Sequence, residues 1–455
     1  MSSTHISTIP PIPATPAPLH IRTDPHAGRK YHASTALPEN TDLLGKYSPY
    51  SYTIWKRFRN EVCAECWRYD GGRRSFLTRR DDEGLDGPST SGATHQRPSS
   101  SLTAGLYFCD ARCQSEWIAR EGVEAVDLLR QLEAARQKKA KSKPKSDARA
   151  QEGEADVEMT QEVVERAWAA VRDKERSPKE VRRWRDLQLE DYEADMARYV
   201  LLALHRCHRE QCNRGRTSHH AAASQPEGPI ATNASDNEPS EWQTFTSLQI
   251  NELQLLKACP QILEHQTRIY QLLKGRFGSR AAASSVASSR SSSVSAPSRN
   301  GAQPHTDNAR TREDARPDDG ASSRSSQSRQ GDSADLADLV TIENVRTILG
   351  VDPGNSFGVW EVPLMEESEC LGFAVYPTAS FFNHHCAPNV RKVREGRALR
   401  FLTTRAVEAG EELCISYGHV DEMDWKTRQK ELLEGWYFEC RCSRCTAEAE
   451  QGSRT

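Results

Sequence analysis

The intervals between cysteines constrain this chain more than any other feature of it. Cys63 and Cys66 enclose two residues, Cys109 and Cys113 enclose three, and Cys440, Cys442 and Cys445 crowd together near the end of the sequence. Thiolates at such intervals, once a fold brings them together, make closed tetrahedral zinc sites. Residues 1–18 are rich in Pro, Ser and Thr and have neither the basic start nor the apolar block of a secretory signal. The 13 cysteines are therefore expected as thiols or metal ligands in a reducing compartment, not as disulfides. Unrelated thiols, or a tail that is merely cysteine-rich, are the bland alternatives.

Composition limits how much chain can fold around these thiols. Of 455 residues, 36% are hydrophobic and 7% aromatic, low for a chain that packs throughout. Residues 81–101, 136–156, 214–240 and 280–333 are dominated by small polar and charged residues, and are expected to be disordered. The 61 basic and 64 acidic residues nearly cancel, which gives no nucleic-acid or membrane-surface signature. No run approaches the ~18 apolar residues of a membrane span, so the expectation is a soluble protein of the nucleus and/or cytoplasm. The run Arg136, Lys138, Lys139, Lys141, Lys143 and Lys145 reads as a solvated linker or as a nuclear-import or nucleic-acid patch.

Apolar spacing predicts helices within 105–136 (Val126, Leu128, Leu129, Leu132), 162–211 (Ala197, Val200, Leu201, Leu204) and 242–277 (Leu248, Leu253, Leu255, Leu256, Ile262, Leu272). Residues 336–445 are glycine-punctuated and strand-rich, with runs at 372–376 and 412–417. Cys207 and Cys212, with His205 and His208, are either a further metal site or residues of a charged helix.

Three strings carry chemistry. Residues 380–389 read Ser-Phe-Phe-Asn-His-His-Cys-Ala-Pro-Asn, 409–418 read Ala-Gly-Glu-Glu-Leu-Cys-Ile-Ser-Tyr-Gly, and 437–445 read Tyr-Phe-Glu-Cys-Arg-Cys-Ser-Arg-Cys. In this order they resemble the NHSCxPN, GEE-x-x-x-x-Y and post-SET segments of the SET-domain protein lysine methyltransferases. Upstream, Ala27-Gly28-Arg29-Lys30-Tyr31-His32-Ala33 resembles the turn that opens that domain beside its cofactor. Two cysteine pairs between these parts resemble the SMYD-like branch, whose SET domain is interrupted by a MYND-type zinc module. The order of parts looks most like the short fungal members.

The resemblance implies an α+β fold: a SET-domain β-fold split by a half-MYND zinc finger and a helical insertion, with a post-SET zinc site and long disordered loops. It divides the chain into a disordered N-terminus (1–20), a first SET part (21–60), a degenerate MYND-type finger (61–120), a helical insertion (121–277), a low-complexity loop (278–335), a catalytic SET part (336–420), a post-SET zinc segment (421–446) and a tail (447–455). One structural zinc is implied on Cys63, Cys66, Cys109 and Cys113, which match the first and third ligand pairs of a MYND module. The residues for its second zinc are missing. Another zinc is implied on Cys386, Cys440, Cys442 and Cys445, where it would clamp the tail over the active site.

The implied activity is methylation of a protein lysine, in a histone or a non-histone protein, with S-adenosylmethionine as cofactor. The implied enzyme is a monomer that binds neither membrane nor nucleic acid directly. Tyr417 matches the family's catalytic tyrosine, and Tyr376 is either a second channel wall or an ordinary core aromatic. Asn383 and His384 match the positions that hold the cofactor, Phe438 the aromatic that stacks on its adenine, and Gly28 and Arg29 the turn at its carboxylate. Asn355 would stand behind the pocket, and Asn251 and Glu252 would reach toward the ribose. The amine of an acceptor lysine ordinarily titrates near ~10.4 and must lose its proton to attack. A narrow apolar channel beside a sulfonium cation would push that pKa down.

Three departures from the pattern stand out. His385 replaces a serine, Lys30 replaces a glycine that positive φ would demand, and the second MYND zinc is lost. They leave open an alternative, a catalytically inactive SET/MYND zinc scaffold in a chromatin or regulatory complex. A zinc-dependent DNA-binding factor fits the balanced charge poorly.

Overall fold

The computed structural model describes residues 18–24, 28–73, 75–76, 103–137, 158–222, 239–278, 335–365, 367–418, 420 and 422–452. The segments 81–101 and 280–333, most of 136–156 and 214–240, and the basic run from Lys138 onward lie outside the described residues. Two boundaries differ from expectation. Leu19 and His20, placed in the N-terminal tail, begin a strand, and the helix Asp191–Ala222 continues past residue 214.

Nine strands occur among the described residues: β1 (Leu19–Asp24), β2 (Gly28–Ala33), β3 (Ser51–Ile54), β4 (Ser356–Trp360), β5 (Cys370–Val375), β6 (Asn383–His384), β7 (Val390–Glu395), β8 (Ala398–Thr403) and β9 (Cys414–Ile415). They form four small sheets: the hairpins β1–β2 and β7–β8, the three-stranded β3-β5-β4, and the two-residue pair β6–β9. All pairings are antiparallel except β6–β9. Pairing is mostly distant in sequence. Ser51 lies opposite Val375, and isolated bridges join Leu37 to Val407, Asp42 to Leu402 and Tyr47 to Leu399. The chain before residue 60 and the chain after residue 355 thus build one set of sheets. The described residues between them are mostly helical.

Close approach explains one glycine in the middle strand. A Cβ on Gly372 would run into the carbonyl oxygen of Thr53 on β3, so only glycine lets the two strands meet there.

The α-helices described between β3 and β4 are Ala111–Glu121, Val123–Gln137, Gln161–Glu175, Pro178–Trp184, Asp191–Ala222, Glu241–Thr246, Glu252–Ala258, Ile262–Phe277, Leu336–Leu339 and Ile342–Asn355. The long periodic runs are broken more often than spacing predicts. Pro178 restarts a helix at its N1 position, where its missing N–H costs nothing. Ser240 starts another with a reciprocal capping box to Gln243. The helix Asp191–Ala222 is buried nearly all round from Glu193 to His205, the signature of a core helix. Its Tyr199 ring meets Phe373 of β5 edge-on at 5.0 Å, and its carbonyl accepts the Ser51 hydroxyl at 2.7 Å. This helix therefore fixes the β3-β5-β4 sheet from behind. A second, smaller core gathers Cys386, Val420, Leu432, Cys440 and Cys445 beneath the helices Trp425–Trp436 and Ser443–Gly452.

No described helix is long and apolar enough to cross a membrane.

Candidate active site and metal centres

The parallel pair β6–β9 sets the geometry by placing Asn383 opposite Cys414 and His384 opposite Ile415. Asn389, 5% exposed, locks this crossing. Its Oδ1 accepts the Cys414 N–H at 2.8 Å, and its Nδ2 donates to the Glu412 carbonyl at 2.8 Å and to Glu411 Oε1 at 3.0 Å. Glu411 also accepts from Arg405 and from the Glu408 N–H. The Arg405 hydrogen bonds are the main reason its carboxyl is pulled down from 4.5 to about 2, against the opposing effect of burial. A depressed folded pKa means stabilisation that is complete above about pH 5 and lost as pH falls toward 2. In a pH series of melting temperatures, Glu411→Gln should flatten that acid limb. An acid limb identical to the parent's would contradict the assignment.

His384 links the crossing to Tyr417. Its Nδ1 accepts the Tyr417 N–H at 2.9 Å, so the neutral ring carries its proton on Nε2, which lies 3.2 Å from the Cys386 sulfur. The Tyr417 hydroxyl donates to the Phe382 carbonyl at 2.9 Å. Burial, then the nearby Cys414 and Glu412, raise the pKa of this phenol well above its usual value. Tyr417 therefore stays protonated through neutral pH. The Phe438 ring stands at right angles to Tyr417 at 6.2 Å and lies 6.0 Å from His384.

The residues of the opening turn reach the same segment from the other end. Arg29 lies over the Phe381 ring at 4.5 Å and donates to the Ser247 hydroxyl at 2.8 Å and to the Ser247 carbonyl. Gly28 has φ +69°, and the space where a Cβ would stand is open. Asn355, 8% exposed, donates to the carbonyls of Gln249 and Val351, while its own carbonyl accepts from Ser380. The stretch Ser380 to His384 is thus the spine that Arg29, Asn355, Tyr417 and Phe438 all touch, with Gly28 next to Arg29 in sequence. Ala27 lies outside the described residues.

Four expectations need correction or refinement. Lys30 does not sit in a left-handed turn. It is a regular β2 residue opposite Arg22, with its ammonium on Glu412 and Asp24, so a glycine there is not required. His385 turns toward the tail: its Nδ1 accepts the Ala387 N–H, and its Nε2 meets the Ser443 hydroxyl at 3.2 Å. Glu252 cannot reach a ribose, because both its oxygens are held by Arg346 and one also by Trp168, and Asn251 packs tightly against Gly354. Tyr376 is 1% exposed and spends its hydroxyl on the Arg397 carbonyl at 2.6 Å, which is the core reading of the two left open.

Each expected cysteine set converges. In both Cys63/Cys66/Cys109/Cys113 and Cys386/Cys440/Cys442/Cys445, the sulfurs all lie within 4.8 Å of one another. Representative separations are 3.8 Å for Cys66–Cys109 and for Cys386–Cys440, and 3.4 Å for Cys109–Cys113 and for Cys386–Cys445. Tetrahedral zinc with bonds of ~2.3 Å places its sulfurs ~3.8 Å apart, so both sets have the right size. The first is further shaped by the Cys109 N–H on Cys63 Sγ, and by Asp110, which caps the helix that carries Cys113. Arg428, fully buried, donates to Cys445 Sγ and to Glu448 beside the second, a cation suited to a thiolate-rich centre. His205 and His208 join no such cluster among the described residues. His205 meets the Glu121 carbonyl, and His208 and Cys212 are a turn apart on one helix.

Three residues of the site region carry no signal in the sequence: Trp436, whose ring is 5.8 Å from Tyr417; Phe357, which meets Tyr376 edge-on at 5.5 Å; and Lys392 beside it. Trp436 and Phe357 flank motifs and are ordinary in composition, so only three-dimensional proximity reveals them.

Comparisons agree with this geometry. The family model described as the SET domain matches residues 148–418, more than half of the chain. A relative described as a potential protein lysine methyltransferase, SET6 of Saccharomyces cerevisiae, is 38% identical over 112 residues, covering 24% of this chain and 30% of that protein. A SET and MYND domain-containing protein of Dictyostelium discoideum is 36% identical over 107 residues, 24% of this chain and 26% of the relative. The human histone-lysine N-methyltransferase SMYD3 is 37% identical over 91 residues, 20% of either chain. The chain thus spans less than a third of the length of these curated relatives.

Proposed function

Because the chain belongs to the SET domain family, we propose that it is an S-adenosylmethionine-dependent protein-lysine N-methyltransferase. On this reading the cysteine-bearing and helical segments between β3 and β4 are an insertion that splits the SET domain, and the cysteine-rich tail is its post-SET closure. The observation that carries the reading is the β6–β9 crossing, which joins His384 to Tyr417 and turns the Tyr417 hydroxyl onto the Phe382 carbonyl.

The residues along the spine suit the cofactor. Phe438 offers an aromatic face for a purine, Asn383 a polar side chain at the crossing, and Gly28 a left-handed turn with open space beside it. When bound, S-adenosylmethionine supplies a methyl group on a sulfonium cation. The protein's part is to align an amine and strip it of water. Trp436 forms an apolar wall beside Tyr417, Phe357 packs edge-on against Tyr376 and Phe401, and on this reading such apolar surroundings desolvate the amine and favour its neutral form. Since the Tyr417 proton is already donated to Phe382, its oxygen lone pairs are left to accept an amine N–H and orient the attacking nitrogen. Lys30 and His385, the residues that most suggested an inactive scaffold, point to Glu412 and to Ser443 instead.

Binding of the cofactor is tested by calorimetry on the full chain. Wild type should bind S-adenosylmethionine, and Asn383→Ala should weaken it by about 1–3 kcal/mol, the cost of an unpaired polar group. No heat of binding at large cofactor excess would overturn the reading. We further propose that both cysteine sets hold structural zinc. Elemental analysis should give two zinc ions per chain, and one or none would remove at least one site.

A further inference from the structure

Lys392 projects from β7, a strand that none of the three diagnostic strings contains. Its ammonium donates to the Ser416 carbonyl at 3.0 Å and lies 5.7 Å from the centre of the Phe357 ring. These partners come from different elements. Ser416 immediately precedes Tyr417, whereas Phe357 sits on β4 and leans on Tyr376 and Phe401. A carbonyl oxygen together with an aromatic face is what a protein offers an alkylammonium at a partly hydrated mouth. Here a lysine of the chain itself takes both.

We propose that Lys392 is an internal occupant of the acceptor-ammonium site, which an incoming substrate lysine must displace. The inference rests on the reading of Tyr417 as the residue that orients the acceptor amine. It adds that acceptor affinity is set by competition with a tethered lysine. Lys392 is exposed, so its side chain has solvent to move into when displaced. Lys392→Ala should free the carbonyl and the ring for an external ammonium, and Lys392→Arg should keep them covered.

The probe is Nα-acetyl-lysine methylamide, titrated into the full chain without cofactor and followed by calorimetry or by Trp436 fluorescence. Lys392→Ala should bind it about three- to five-fold tighter than wild type, the scale of one exposed cation–π contact. Lys392→Arg should stay within about twofold of wild type. The norleucine analogue, which keeps the four side-chain carbons and lacks the ammonium, should gain nothing. Equal binding by wild type and Lys392→Ala would overturn the proposal, and so would an equal gain for the norleucine analogue, because then only space was opened. Labelled-methyl transfer, measured in parallel, separates the two readings. Tighter ammonium binding without transfer would keep the internal occupant and remove the enzyme. Transfer with unchanged ammonium binding would do the reverse.

Discussion

Tyr417→Phe should lose methyl transfer by roughly 10²-fold or more while cofactor affinity stays within about twofold of wild type. The ring remains between Trp436 and Phe438, so the walls of the site are kept. What disappears is the hydroxyl that donates to the Phe382 carbonyl and that, on the proposed reading, would accept an N–H of the acceptor amine. The loss of one neutral hydrogen bond costs only ~1 kcal/mol of stability, so the variant should remain folded. The raised phenol pKa adds a second expectation. A residue that stays protonated contributes no basic limb of its own, so the pH profile of transfer near neutrality should follow the acceptor amine and not Tyr417. Transfer that survives in the phenylalanine variant would remove Tyr417 from the chemistry.

Arg397→Met should lower the melting temperature by on the order of 10 °C. This guanidinium is 4% exposed and lies over the Tyr52 ring at 4.3 Å. It donates to Glu121 at 2.7 Å and faces Glu65 at 3.5 Å. Glu65 sits between Cys63 and Cys66, and Glu121 ends the helix that carries Cys113. Removing the cation leaves those carboxylates buried beside a weakened set of partners, a change that typically costs about 3–5 kcal/mol. The Arg397 carbonyl also accepts the Tyr376 hydroxyl, so the same residue joins the first cysteine cluster to the wall behind Phe357. Thermal denaturation measures the effect. A shift of only a degree or two would mean the ion pairs are structurally idle.

The sequence was clearer on the motif positions than on what surrounds them. The cysteine sets were legible because thiol spacing and motif order say nearly the same thing, and their sulfurs do converge. Asn383, His384, Tyr417 and Phe438 were legible as motif positions, and the structure brings them together. Lys30 misled because a motif column was read as a backbone requirement. Here the left-handed residue is Gly28, two positions earlier, and Lys30 simply pairs in a strand. Glu252 misled because helical spacing does not reveal a partner 94 residues away in sequence, Arg346, that already holds it. Trp436, Phe357 and Lys392 carry no motif at all. Their meaning comes from contacts between separate elements of the C-terminal region, Tyr417 with Trp436 and Lys392 with both Ser416 and Phe357.

The measurement that bears most directly on the central claim is transfer of labelled methyl from S-adenosylmethionine to proteins of a cell extract by the full chain, with the product hydrolysed and resolved into its amino acids. The account predicts label recovered as N-methylated lysine with wild type, and label at background with Tyr417→Phe. Label at background with the zinc-loaded wild type, or label recovered on a residue other than lysine, would contradict it.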